Sequence, residues 1–146
     1  FIVRWPGKIK AGSVSDHLGY FPDVMPTIAE ITGAIPRKDS DGISIVPTLL
    51  GAEKAGRKQE QHEYLYWESK KSIALRMNNW KAIKPSNKAP FELYDLSKDI
   101  EELHDVAAQY PEIIEKIKKY AKQAHTPVRL GKVLDASLGF KGHNKN

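Results

Sequence analysis

The spacing of apolar positions changes about halfway along the chain. The front half reads as a short strand followed by helical pieces. Phe1 to Arg4 is a continuous apolar run stopped by Trp5-Pro-Gly7, the pattern of a strand buried on both faces of a large sheet. Asp23 stands as an N-cap, Pro26 falls in a first turn where its missing N–H costs nothing, and Gly33 supplies a stop, which predicts a helix over Val24 to Thr32. Its periodicity places Met25, Ile28, Ala29 and Ile31 or Thr32 inward and Glu30 outward. A turn at Asp39-Ser-Asp-Gly42 leads to a brief helical turn opened by Pro47 and closed by Gly51. Residues 53–61 are charged, carry Gly56 and lack large apolar side chains, so they read as a linker between one unit over 1–52 and a second over 62–125.

In the second unit the period becomes two. Glu63 to Glu68, Ser72 to Asn78, Trp80 to Lys84 and Phe91 to Leu96 predict four short strands in an antiparallel meander, with Asn78-Asn79 as a turn. Trp80, Ala82 and Lys84 share one face, and Lys81 and Ile83 the other. Pro111 then opens a helix whose stripe of Ile113, Ile114, Ile117, Tyr120, Ala121 and Ala124 should lie across the sheet, with Glu112–Lys116 and Glu115–Lys119 as i,i+4 pairs outside. From Thr126 to residue 146 periodicity is lost, as in an extended tail. The fold class expected is α+β: the last strand and helix of a large α/β domain, then a small four-stranded antiparallel sheet packed with one helix.

Composition narrows the function. The chain has 146 residues, 40% of them hydrophobic, which suffices for a core, and no run approaches the roughly 18 apolar residues of a membrane span. It opens inside an apolar run without an initiator Met, so a piece of a larger protein is expected. With no Cys there is no disulfide, thiol nucleophile or thiolate metal ligand. A net charge of +5 suits an anionic partner, but the lysines are spread along the chain and match no groove-reading motif. Neither a nucleic acid nor a membrane is the expected partner.

Chemistry-bearing motifs are sparse. The histidines at 17, 62, 104, 125 and 143 share no metal-ligand spacing. Asp39-Ser-Asp41-Gly42 lacks the remaining ligands of an EF-hand and reads as a turn. No G-x-S-x-G elbow and no Gly-rich phosphate cradle occurs, so neither a catalytic residue nor a metal site is assigned. Asp16-His17, a carboxylate beside an imidazole just ahead of a helix, is the pairing that would suit orienting a proton donor toward an anion. Trp5, Trp67 and Trp80, with six tyrosines, suit either sugar stacking or core packing.

Taken together, Phe1-Ile-Val-Arg-Trp-Pro-Gly-Lys-Ile-Lys-Ala-Gly12, Val14-Ser-Asp-His17, Asp23-Val-Met-Pro-Thr27, Asp41-Gly-Ile-Ser44, Pro47-Thr-Leu-Leu-Gly51, Glu63-Tyr-Leu-Tyr-Trp-Glu68, Arg76-Met-Asn-Asn-Trp-Lys81, Glu92-Leu-Tyr-Asp-Leu96 and Asp99 to Ala107 resemble, in collinear order, the C-terminal portion of arylsulfatase-type sulfatases of the alkaline-phosphatase-like superfamily. The resemblance implies a parent that cleaves sulfate monoesters of small molecules or polysaccharides, using formylglycine made within [C/S]-x-P-x-R and a calcium ion held by Asp and Asn. This chain has neither that motif nor the metal motif, so by itself it is expected to be inactive. The resemblance puts His17 near the substrate pocket. It further implies an exported, periplasmic or secreted parent, and self-association through the apolar front edge of the isolated chain. Relatives often carry a His-Glu pair between the Tyr-Trp-Glu and Arg-Met motifs; here Ser69-Lys-Lys-Ser72 takes its place. The other readings are a related phosphoryl hydrolase and a non-catalytic basic module for acidic glycans or nucleic acid.

Overall fold

The computed structural model describes residues 1–69 and 71–127, and the tail expected beyond falls outside them from residue 128. A 3-10 turn, Phe21–Asp23, leads into α1 (Val24–Thr32), then α2 (Val46–Leu50) and a single helical turn α3 (Ala52–Ala55) inside the stretch read as a linker. Next come β1 (Leu65–Glu68), β2 (Ile73–Met77), β3 (Trp80–Lys84) and β4 (Glu92–Asp95), a 3-10 turn over Ala107–Gln109, and α4 (Pro111–Ala124). No helix among the described residues is long and apolar enough to cross a membrane.

The four strands form an antiparallel meander in chain order, β1-β2-β3-β4, as their alternation predicts. Leu75 stands opposite Ala82, and Ala82 opposite Leu93, so one row of side chains crosses the middle strands on one face. The β2–β3 hairpin turns at Asn78, whose φ of 52° lies in the left-handed region that Asn tolerates better than most residues. α4 lies over that face, and Leu75, Met77, Ala82, Leu93, Ile117 and Tyr120 make the core, flanked by Trp80, Ile113 and Ile114. Each fully buried aliphatic side chain there contributes about 1.5–3 kcal/mol. On the outer face of α4 the expected i,i+4 pairs are replaced: Glu115 meets Lys118, and Lys116 lies over the Tyr120 ring.

At the front the apolar edge expected of a piece of a larger sheet stands open: Phe1 and Ile2 are 94% and 96% exposed, and the four described strands pair only with one another, which leaves this segment no ladder partner and no strand of its own here. One expectation for the front half differs from the structure. α1 forms where predicted, with Gly33 at φ 71° closing it, yet it turns the opposite side inward. Thr27 and Asp23 are buried, while Met25 and Ile28 are exposed. The cause is polar: the N–H groups of Ile43 and Ile45 have no sheet to join, and Asp23 Oδ1 and Thr27 Oγ1, one helical turn apart, accept them at 2.8 and 3.0 Å.

Asp95 shows the same economy at the end of β4. Its Oδ1 accepts from Ser97 Oγ at 2.6 Å and Asn79 Nδ2 at 2.6 Å, and these bonds hold its carboxyl well below the usual carboxylate range. Because the folded value is depressed, the stabilisation is full above the unfolded value of about 4 and is lost as pH falls through the folded one. Unfolding midpoints measured from neutral pH downward should therefore drop below about pH 4, and Asp95→Asn should flatten part of that slope.

Candidate substrate-facing site around His17 and Asp23

The site is built on the loop that enters α1. His17 N–H donates to Ser15 Oγ at 3.2 Å, and Tyr20 N–H to Asp23 Oδ2 at 2.9 Å, which bends residues 15–23 back over the start of the helix. Asp23 is 2% exposed and holds the N-cap position of α1, as predicted, but its side chain makes no capping bond to the helix. It is a hub instead. Its Oδ1 accepts both the Ile43 N–H and His62 Nε2, each at 2.8 Å, and its backbone carbonyl accepts Thr27 Oγ1 at 2.6 Å. The His62 side chain is 7% exposed, so this hydrogen bond is shielded from solvent and ties the loop ahead of β1 to the loop ahead of α1.

Two glycines permit the close packing. A Cβ on Gly19 would stand 3.1 Å from Asp23 Oδ2 and 3.7 Å from the His17 ring. At Gly42 it would stand 2.1 Å from the Pro22 carbonyl oxygen, closer than any real contact. Gly42→Ala should consequently force the 40–43 loop off the 3-10 turn and lower stability by about 1–3 kcal/mol, read as a shift in urea midpoint.

His17 occupies a different position from the one its sequence suggests. Asp16 is exposed and makes no bond to it; among the described residues neither ring nitrogen of His17 has a hydrogen-bond partner, although both are shielded from solvent. The Asp-His pair that does form joins Asp23 to His62, 39 residues apart. No local spacing marks His62; the one hint is a polar residue directly ahead of the aromatic strand Glu63 to Glu68. His17, Gly19, Tyr20 and Asp23 line a cleft of about 1220 Å³ between the front loop and the α1–α2 pair. Beside the cleft, the Tyr20 ring meets His62 edge-on at 4.9 Å and Trp67 at 6.4 Å, and its hydroxyl donates to the Asp41 carbonyl. Burial, and then the charges of Asp41 and Asp23, push the Tyr20 phenol above its ordinary value, so it remains a neutral donor.

The chemistry this arrangement allows is limited. Asp23 has its acceptors occupied and His62 has spent Nε2, so neither is a free acid or base; the His17 imidazole is the group left with unused bonding capacity. The remaining described histidines lie apart, His104 with Asp99 and His125 with Glu68. His143 lies outside the described residues. Among the described residues no group of three or more His, Cys, Asp or Glu could hold a metal ion. Of the tryptophans, Trp80 packs on Tyr110 at the core, whereas Trp67 is 47% exposed.

Comparison with known proteins gives this geometry its family. Residues 1–126 match the family described as N-sulphoglucosamine sulphohydrolase, C-terminal. The chain is 30% identical over 154 residues to the ulvan-active sulfatase of Formosa agariphila, covering 82% of this chain and 31% of that protein. It is 31% identical over 145 residues to human arylsulfatase A, covering 81% of this chain and 28% of that one. A solved protein reported with the metabolism of multiple glycosaminoglycans by Bacteroides thetaiotaomicron superposes with a TM-score of 0.63 at 26% identity, over 84% of this chain and 28% of its own. The chain thus spans less than a third of the length of these relatives. A family match over nearly all of the described residues, spanning the loop and helices that line the cleft and the meander behind them, makes this chain a C-terminal portion of a sulfatase of the alkaline-phosphatase-like superfamily.

Proposed function

We propose that the chain is the supporting part of an enzyme that hydrolyses sulfate monoesters on sulfated glycans, and that its front loop sets His17 at the rim of the substrate pocket. The observation that carries this reading is the His17 imidazole, held in the wide cleft with both nitrogens unpartnered, within a chain matched to sulfatases. A buried imidazole without a partner costs about 1–3 kcal/mol, a cost that a substrate oxygen or an ordered water would relieve. The glycan class is taken from relatives such as the N-acetylgalactosamine-6-O-sulfatase of Bacteroides thetaiotaomicron and from a structural neighbour bound to D-glucosamine-2-N,6-O-disulfate.

In this reading residues 1–52 complete the catalytic domain and residues 62–125 form a buttress, latched to it by Asp23–His62. The formylglycine and calcium expected of such a parent find no matching residues here, since the chain has no [C/S]-x-P-x-R motif and no metal cluster among its described residues, and no step is routed through them. An extracytoplasmic parent is part of the same proposal.

The test uses the intact enzyme containing this chain, with a disaccharide bearing 6-sulfated N-acetylgalactosamine and sulfate release as the readout. His17→Ala should raise KM about three- to tenfold with a smaller change in kcat, the pattern of a lost binding contact. Unchanged kinetics would remove His17 from the pocket, and no sulfate release from any sulfated sugar would remove the sulfatase reading. The 146-residue chain alone is expected to release no sulfate from 4-nitrophenyl sulfate.

A further inference from the structure

Trp67 is unusual among the aromatic residues of the sheet. It sits on edge strand β1, stands opposite the small Ala74, and leaves its indole 47% exposed on the face away from α4. The residues beside it in sequence, Tyr66 and Glu68, point to the other face, where Tyr66 packs on the core and Glu68 meets His125. Among the described residues Trp67 has one aromatic neighbour, Tyr20, and lies outside the core cluster. Its ring meets Tyr20 edge-on at 6.4 Å, and Tyr20 lines the His17 cleft, so one aromatic ring stands between the indole and that cleft. Four residues on, the β1–β2 hairpin is drawn tight by Ser69 N–H to the Ser72 carbonyl at 2.8 Å. This turn presents Lys71, exposed and without an ion pair among the described residues.

We propose that Trp67 and Lys71 form a subsite for an anionic sugar unit, the neighbour of the unit held in the His17 cleft; the proposal rests on the glycan-sulfatase reading. An indole offers a broad apolar face with little conformational entropy to lose, which suits the C–H face of a pyranose ring. A lysine at the hairpin tip supplies a point charge for a sulfate or carboxylate on the ring's rim. The subsite gives length selectivity: an oligosaccharide long enough to span cleft and hairpin binds better than a single sulfated sugar.

The experiment is equilibrium binding to the intact enzyme containing this chain, at a temperature where turnover is slow, of a tetrasaccharide carrying 6-sulfated N-acetylgalactosamine, its desulfated counterpart and the sulfated monosaccharide. The sulfated tetrasaccharide should bind most tightly of the three. Trp67→Ala should weaken that binding about tenfold while Trp67→Phe keeps most of it, a contrast that loss of folding would not produce. Lys71→Ala should weaken it about threefold at low salt and leave a shallower salt dependence. Absence of binding, unaltered affinity in Trp67→Ala, or equal affinity for the desulfated sugar overturns the subsite. Sulfate release by the intact enzyme judges the sulfatase reading separately; a failure there with this binding pattern intact leaves the sugar platform standing.

Discussion

Asp23→Ala should unfold at much lower urea than the unsubstituted chain, with a loss of about 3–5 kcal/mol, since three shielded donors lose their acceptor at about 1–3 kcal/mol each before local relaxation. The carboxylate accepts from Tyr20 N–H, Ile43 N–H and His62 Nε2, and it is 2% exposed. Its removal strands three donors at once, two of them backbone groups of loops that belong to no sheet. Replacing them with water requires opening the contact between the α1 entry and the loop ahead of β1. Asp23→Asn keeps the shape and one acceptor oxygen but turns an NH₂ toward one of the same donors, so about 1–3 kcal/mol is expected for it. His62→Ala removes the tether between the two loops while leaving Asp23 its backbone donors, and should fall between the two. An Asp23→Ala cost under 1 kcal/mol would show that the latch carries no load.

Leu93→Ala is the second large effect, at about 2–5 kcal/mol. Leu93 is 0% exposed, stands opposite Ala82 and faces the Ile117 and Tyr120 layer of α4. Its backbone is pinned from outside the ladder: its N–H donates to Asp105 Oδ1 and its carbonyl accepts the Val106 N–H, both at 2.9 Å. β4 therefore cannot move inward to fill the space, and Ala82 is too small to repack into it. The cost should sit in the upper half of the range, because the penalty grows with the cavity that remains. Met25→Ala, by contrast, alters a side chain that is 71% exposed and should shift the urea midpoint by no more than about 0.5 kcal/mol.

These predictions separate two kinds of cohesion. The meander and α4 are held by a contiguous apolar core, whereas the front layer is held by hydrogen bonds converging on Asp23 and Thr27. That difference matters for the proposed function. A latch of a few directional bonds fixes the orientation of the loop bearing His17 without requiring a large buried area, so damage to the latch should reach the substrate pocket before the meander loses its structure.

The meander was open to reading because its cause is local. Alternation in Ser72 to Asn78 and Trp80 to Lys84, an Asn-Asn turn, and a helical stripe from Ile113 to Ala124 all act over a few residues, and strands β2 and β3 and helix α4 appear where they place them. The resemblance to sulfatases was legible for a similar reason, since it rests on short runs in fixed order. The inward side of α1 was not legible. Periodicity weighs apolar side chains and gives no weight to a distant backbone N–H in need of an acceptor, so it chose Met25 and Ile28 over Asp23 and Thr27.

Turn residues and alternation, which are properties of neighbours along the chain, were enough for the α+β class, while the sulfatase portion was legible only as a resemblance carried by short motifs in collinear order. Tertiary structure decided which histidine meets which carboxylate. Asp16 and His17 are adjacent yet unpaired, while Asp23 and His62 join across 39 residues. The physical reason is that a buried carboxylate takes the donors that the fold brings to it, and adjacency in sequence does not set that direction. Tertiary structure likewise left Trp67 at an open edge while Trp80, similar in its alternating context, packs half-buried against the core and Tyr110.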